Sequence, residues 1–116
     1  MLAQAIFELT GSRPSVSQQK GAGTIRLESQ DTIKAEGYML NVTPTTLTIS
    51  ASSPAGALNG IQSIRTAISP ESWAKKNATV SIPAMMVYDA PRFSSRTLML
   101  DVGRNFRPKA EILKII

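Results

Sequence analysis

The hydrophobic and polar positions of the chain alternate in several short runs, and each run predicts a strand. Residues 24–28 alternate in the manner of a half-buried strand. Residues 38–42 and 47–51 are two further β-type runs, separated by the polar, proline-containing connection 43–46. This order predicts an antiparallel hairpin. The alternation returns at residues 78–82, where we predict a fourth strand.

Two other segments repeat their apolar residues every three to four positions, which is the period of an amphipathic helix. In the stronger one, residues 54–68, Ser53 is placed as the N-cap and Pro54 at the first helical position. The weaker one spans residues 1–10 and is expected to end at Gly11. The apolar positions of the stronger helix are Ala57, Leu58, Ile61, Ile64 and Ile68.

The last third of the chain differs in pattern from the first two thirds. Residues 83–91 contain prolines near both ends and predict a connecting segment that begins as an edge strand. Residues 98–102 are almost continuously apolar, which is typical of a strand buried on both faces, and a helical pattern starts at Pro108. We therefore predict an α/β domain over residues 1–90 and the start of a second domain over residues 91–116.

Composition and charge exclude several classes of function. The chain has no cysteine and no histidine, which excludes disulfides, thiolate chemistry, histidine triads and the commonest zinc ligands. The net charge is +5, but the basic residues near the C-terminus are interleaved with Asp101, Glu111 and apolar positions, so no nucleic-acid partner is expected. No stretch approaches the roughly 18 apolar residues of a membrane helix, so no membrane span is expected.

Two stretches of the sequence together carry a resemblance to a known family. The first is residues 36–42, EGYMLNV, together with Gly56 and residues 60–64, GIQSI, in the helix after it. The second, residues 89–106, DAPRFSSRTLMLDVGRNF, is more specific. Both stretches resemble glycoside hydrolase family 20, the β-N-acetylhexosaminidases, and the second is similar to that family's junction between its N-terminal domain and the first barrel strand. The resemblance covers roughly residues 23–116.

The resemblance implies an α+β fold, with a small, mostly antiparallel sheet of about four strands and helices packed on one face. This is the zincin-like N-terminal domain of the family. The first β-strand and the start of the first helix of a TIM barrel are expected to follow it. At 116 residues the chain is well short of the roughly 250 of a complete barrel, so we expect a truncated fragment of a longer parent.

The resemblance also implies an activity for that parent. A β-N-acetylhexosaminidase hydrolyses terminal non-reducing N-acetylhexosamine residues from glycans by substrate-assisted retaining catalysis, without a metal or an organic cofactor. The implied partners are an N-acetylhexosamine-containing glycan and the rest of the catalytic barrel. The parent is expected to be an exported bacterial protein, periplasmic or at the cell surface, whose signal peptide has been removed.

Three residues at the end of the predicted barrel strand are the candidate site. By resemblance, Arg104 matches the family's arginine that holds the hydroxyls of the terminal sugar. Its position agrees, since residues at the C-terminal end of a barrel strand reach the active site, and its five donors suit neighbouring hydroxyls. Asp101 and Asn105 are interpreted as supporting residues. The alternative for Arg104 is a surface or ion-paired arginine.

The sequence departs from the family pattern at two positions. Thr97 stands where a glycine is usual, and Asn105 stands where a histidine is usual. An asparagine cannot change its charge with pH, so a proton-related role of the usual histidine is not expected here.

Arg92 and Arg96 precede the apolar part of the strand and are interpreted as structural, while Trp73 is interpreted as a packing residue.

No catalytic residue is assigned to this chain. Family 20 enzymes share an adjacent Asp-Glu pair, and this sequence contains no Asp-Glu dipeptide. Two alternative functions stay open. One is a family 84-like β-N-acetylglucosaminidase with the same N-terminal domain, which residues 100–104, LDVGR, disfavour. The other is a non-catalytic carbohydrate-binding or scaffolding module, which the predicted buried strand at residues 98–102 disfavours.

Overall fold

The structure is a computed structural model that describes residues 2–18, 24–75 and 79–115. Helices and strands alternate irregularly along these residues. In chain order they are α1 (Leu2–Thr10), β1 (Ile25–Ser29), β2 (Tyr38–Val42), β3 (Leu47–Ala51), α2 (Pro54–Ala67), α3 (Pro70–Ala74), β4 (Met85–Asp89) and α4 (Lys109–Ile115). None of the helices in these ranges is long and apolar enough to cross a membrane.

The strands form one four-stranded sheet in the order β1-β3-β2-β4. β2 pairs antiparallel with β3 on one side and with β4 on the other, whereas β1 pairs parallel with β3. The predicted hairpin is confirmed with its bounds, and Thr43 closes its connection by donating its N–H to the carbonyl oxygen of Thr46 at 2.8 Å. The predicted small, mostly antiparallel sheet is therefore confirmed.

The hydrophobic core lies between one face of this sheet and the helices. Leu40 and Ile49 face each other in the register of β2 and β3, and both are almost completely buried. Leu9 of α1 and the isoleucines of α2 belong to the same core. Helices α1 and α2 therefore pack on the sheet, as predicted. The remaining core positions on the two central strands are Tyr38, Val42, Leu47 and Ala51.

The termini of both longer helices follow from local sequence. The hydroxyl of Ser53 accepts a hydrogen bond from the N–H of Gly56 at 3.2 Å, so the predicted N-cap of α2 is confirmed. At the end of α1, Gly11 has a φ of 72° and donates its N–H to the carbonyl oxygen of Phe7 at 2.9 Å. A glycine in this left-handed conformation is a common helix stop.

Two glycines allow α2 to approach the sheet closely. A Cβ at Gly56 would overlap the backbone carbonyl oxygen of Gly37, and a Cβ at Gly60 would lie 2.7 Å from Cγ2 of Ile49. Because any side chain at either position would push the helix away, these glycines set the distance between α2 and the two central strands.

The fourth strand lies later in the chain than the prediction. Residues 79–82 form no strand, and Ala78 lies outside the described residues, so the strand predicted at 78–82 is wrong over its described part. β4 instead occupies the middle of the segment predicted to be a connection beginning as an edge strand. It lies at the edge of the sheet, where the flanking Pro83 and Pro91 need not donate to the ladder.

Residues 98–102 also form no strand, in contrast to the prediction of a buried barrel strand. Leu98 and Met99 are 71% and 86% exposed. A strand buried on both faces needs neighbouring strands and covering helices, and no described residues provide them at this position. The helix predicted after Pro108 is present as α4, which has no buried residue.

Candidate functional site

The predicted site residues lie in one exposed turn, residues 101–105, that precedes α4. Asp101 organises this turn through three hydrogen bonds. Its Oδ1 accepts from the backbone N–H of Gly103 at 3.0 Å and of Arg104 at 3.1 Å, and its Oδ2 accepts from Nε of Arg104 at 2.6 Å. Aspartate closes turns in this way because its short side chain reaches backbone donors two or three residues further on.

The ion pair between Asp101 and Arg104 orients the side chain of Arg104 and adds little to the stability of the fold. The side chain of Arg104 donates to the Asp101 carboxyl and, with the backbone N–H groups of Arg104 and Gly103, lowers its pKa. The two side chains are 39% and 87% exposed, for Asp101 and Arg104, so water screens their attraction. The pair uses Nε of Arg104 and leaves the two terminal nitrogens of the guanidinium outside it.

Asn105 follows Arg104 at the end of the turn and is exposed. The structure thus brings Asp101 and Arg104 into direct contact and places Asn105 beside them. Within the described ranges, no group of three or more acidic side chains is arranged to hold a metal ion. The turn presents the hydrogen-bond donors of the Arg104 guanidinium at the surface.

The stretches that carry the family resemblance meet at a second place, the junction between the packed domain and residues 91–97. A depression of about 290 Å³ lies there. It lies where β2 meets α2, and there the hydroxyl of Tyr38 is hydrogen-bonded to the hydroxyl of Ser63 at 2.5 Å. Its lining includes Tyr38, Asn59, Gln62, Ser63, Asp89 and Arg96.

Glu36 contacts two of the residues that line this depression. Its backbone carbonyl oxygen accepts a hydrogen bond from Nδ2 of Asn59 at 2.8 Å, and its carboxylate oxygens accept from Nη2 of Arg96 at 3.1 and 3.2 Å. Its φ is 63°, in the left-handed region that residues other than glycine seldom adopt. Glu36 is not among the site residues predicted from the sequence, because neither a positive φ nor a contact across 60 positions has a sequence signal.

Two further residues interpreted from the sequence have identifiable surroundings. Trp73 is partly buried against the core, and the guanidinium of Arg65 lies over its ring at 5.5 Å from the centroid. Arg92 lies over the ring of the adjacent Phe93 at 6.0 Å. The contact of Trp73 with the core fits its interpretation as a packing residue, whereas the structural role of Arg92 stays a prediction.

The fold is a small α+β fold with one four-stranded sheet, and comparisons with known proteins identify its family. Residues 1–90 match the family described as glycosyl hydrolase family 20, domain 2. The chain therefore belongs to glycosyl hydrolase family 20. This result agrees with the resemblance of residues 36–42 and 60–64 and disfavours the family 84-like alternative.

Individual relatives agree with this family. The chain is similar to the β-hexosaminidase of Vibrio furnissii, with 27% identity over 96 residues, which are 83% of this chain and 15% of that protein. It is 36% identical over 80 residues to the N,N'-diacetylchitobiase of Vibrio harveyi, covering 69% of this chain and 8% of that protein. The chain thus spans only a small part of the length of these relatives.

The fold is similar to that of solved family 20 enzymes. A mutant Streptomyces plicatus β-hexosaminidase in complex with its product GlcNAc matches with a TM-score of 0.76 and 30% identity. The match covers 98% of this chain and 24% of that one. The likeness therefore extends past residue 90 into the segment that carries Arg104.

Proposed function

We propose that this chain is the N-terminal part of a β-N-acetylhexosaminidase that removes terminal non-reducing N-acetylhexosamine residues from glycans. The observation that carries the proposal is the family match over residues 1–90. The likeness to a β-hexosaminidase solved with GlcNAc supports the same substrate class, since it covers 98% of this chain.

Within this parent, residues 1–90 are an accessory domain and residues 91–116 begin the catalytic TIM barrel. The exposure of Leu98 and Met99 supports this division, because their run has the composition of a strand buried on both faces. Neighbouring barrel strands and the outer helices would cover both faces of such a run. The rest of the barrel is therefore the main partner of this segment.

The reaction would follow the substrate-assisted route, in which the acetamido oxygen of the substrate attacks the anomeric carbon. A glutamic acid protonates the leaving oxygen, and the aspartate before it orients the acetamido group. We place this Asp-Glu pair in the part of the parent outside this chain. No metal and no organic cofactor takes part in this scheme.

This chain would contribute substrate binding through Arg104. A guanidinium presents its donors in a fixed plane and stays charged at any working pH, so it can bond two neighbouring sugar hydroxyls at once. Asp101 already accepts from Nε, and the two terminal nitrogens are left for the sugar. Asn105, beside Arg104, supports the same turn.

The proposal includes export of the parent to the periplasm or the cell surface of a bacterium. A glycan polymer is too large and polar to cross a membrane unaided, so an exported enzyme would reach polymeric substrates that a cytoplasmic enzyme would not. Fractionation of the source cells tests this part: hexosaminidase activity confined to the cytoplasmic fraction would contradict it.

Activity measurements on two proteins test the function. The parent is expected to release the chromophore from a chromogenic N-acetylglucosaminide, whereas the isolated 116-residue chain is expected to be inert because it lacks the Asp-Glu pair. An inert, folded parent would overturn the proposed function. Turnover by the isolated chain above a blank would overturn the placement of the catalytic carboxylates.

Substitution of Arg104 in the parent tests the site. Arg104→Lys keeps the charge but loses the planar fork, and hydrogen bonds to a charged group contribute about 1.5–3 kcal/mol, so kcat/KM should fall roughly tenfold or more. Arg96→Lys should cause a clearly smaller loss, because Arg96 precedes the apolar run. Melting curves of both variants exclude unfolding.

Two outcomes would contradict this role. Equal activity of Arg104→Lys and the parent would remove Arg104 from the site. A joint loss of activity and melting temperature in both variants would instead mean that the arginines hold the structure at the barrel mouth.

A further inference from the structure

We propose that Glu36 is a positioning residue that latches the segment of residues 91–97 onto the N-terminal domain. By fixing this segment, Glu36 sets the point from which the chain runs on to Arg104. The consequence for catalysis rests on the proposed function, whereas the latch itself depends only on the contacts of Glu36, Asn59 and Arg96.

The backbone of Glu36 is the first observation that supports the latch. Its φ of 63° is unfavourable for a residue with a side chain, and such conformations persist only where the surroundings hold them. Asn59 of α2 holds the carbonyl oxygen of Glu36 at 2.8 Å, and the next residue, Gly37, lies against the same helix at Gly56. The domain thus fixes the direction of the Glu36 side chain.

The contacts of Arg96 are the second observation. Its Nη2 donates to both carboxylate oxygens of Glu36, and its Nη1 donates to the carbonyl oxygen of Phe93 at 2.9 Å. One guanidinium therefore closes the turn of residues 93–96 and ties that turn to the domain. By contrast, the Arg104–Asp101 and Arg107–Glu111 ion pairs join residues three and four positions apart.

The exposure of the pair decides what kind of effect to expect. The side chains of Arg96 and Glu36 are 50% and 39% exposed, so the pair adds little to the stability of the domain. Its effect should appear in the order of residues 91–97 and in the position of the chain beyond residue 97. A test therefore has to measure the segment directly and not only the melting temperature.

The absence of cysteine makes a site-directed spin label the suitable probe, because Ser95→Cys provides a single attachment point in the 116-residue chain. In this background, Glu36→Gln and Arg96→Lys should each give a clearly more mobile nitroxide spectrum. Arg92→Lys is the matched control, since Arg92 belongs to the same segment but contacts the ring of the adjacent Phe93 and not Glu36. A spectrum that Glu36→Gln leaves unchanged would overturn the latch.

Two more variants separate the carboxylate from the backbone conformation. Glu36→Gly tolerates the positive φ but removes the carboxylate, so the label should be freed while the melting temperature stays the same or rises. The exchanged pair Glu36→Lys with Arg96→Glu should restore part of the immobilised spectrum, because it keeps two opposite charges but loses the hydrogen bond from residue 96 to the carbonyl oxygen of Phe93. A spectrum of the exchanged pair as mobile as that of Glu36→Lys alone, with the domain folded, would show that the ion pair does not hold the segment.

Kinetics of the parent test the consequence for the site. Glu36→Gln should lower kcat/KM about two- to fivefold, the size expected for an exposed ion pair, mainly by raising KM. A merely structural role would lower the melting temperature instead and leave KM of the folded fraction unchanged. An active parent whose KM is unaffected would overturn the positioning role. A parent without hexosaminidase activity would overturn the proposed function but leave the spin-label result standing.

Discussion

Residues up to 90 and residues 91–115 both contain strand-like and helix-like patterns, yet only the first region buries its apolar side chains. Leu40 and Ile49 are 0% and 1% exposed, whereas Leu98 and Met99 are 71% and 86% exposed. The core residues of the first region find their partners within its own sheet and helices. The second region contains an apolar run typical of a buried strand, but no described residues cover that run. An apolar run thus indicates that a strand will be covered, but not by which elements.

The largest expected effect that tests this contrast is the insertion of a charge into each region. Ile61→Asp in the isolated chain should unfold the domain, because an unpaired buried carboxylate costs several kcal/mol of the roughly 5–15 available. Leu100→Asp should lower the melting temperature much less, since Leu100 is 39% exposed and lies outside the core cluster. Thermal unfolding followed by circular dichroism measures both.

The same Leu100 substitution sharpens the comparison when it is made in the parent. If residues 98–102 become a barrel strand there, Leu100→Asp should be strongly destabilising and not neutral. A neutral Leu100→Asp in the parent would contradict the division into an accessory domain and a barrel start. An unchanged melting temperature for Ile61→Asp would show that this face of α2 does not line the core.

A pair of glycines provides the second test. Gly56→Ala should destabilise the chain by about 1–3 kcal/mol, because the new Cβ overlaps a backbone carbonyl that cannot move aside as a side chain would. Gly103→Ala should change stability by less than about 0.5 kcal/mol, since its Cβ would meet only Oδ1 of Asp101 at 3.5 Å. Urea titration of both variants would disprove the close approach of α2 if they were equally stable.

The smallest expected effect is the pH dependence of the turn at Arg104. The pKa of Asp101 is lowered in the fold, so its bond to Arg104 is present above the ordinary carboxyl pKa and is lost as pH falls through the lowered value. The NMR signal of the Arg104 Nε–H should therefore change with a midpoint below the usual value of about 3.9. The Arg92 Nε–H is the control. A midpoint at or above the usual value would contradict the observed pairing.

Local patterns predicted several elements well because their determinants are close in sequence. The hairpin of β2 and β3 follows from two alternating runs and a short polar connection, and α2 follows from its period and the Ser53 cap. The fourth strand was misplaced for the opposite reason. Residues 78–82 and 85–89 are both plausible strands by composition, and pairing with β2 selects the later one.

The candidate site was predictable only in part. Asp101 and Arg104 lie three positions apart in the stretch that carries the family resemblance. Both residues could therefore be chosen from the sequence. Glu36 could not be chosen, although it belongs to a stretch that carries the resemblance, because its role depends on a partner 60 positions away. Long-range polar contacts leave no periodic trace in a sequence.

The sequence by itself determined the elements with local signals, the resemblance to family 20 and the absence of cysteine and histidine chemistry. Tertiary structure decided that residues 85–89 form the fourth strand of the sheet. It also decided that Gly56 and Gly60 allow α2 to approach Gly37 and Ile49, and that Arg96 pairs with Glu36. The physical reason is that periodicity records which side chains avoid water, whereas pairing and close approach depend on backbone positions that distant segments of the chain create together.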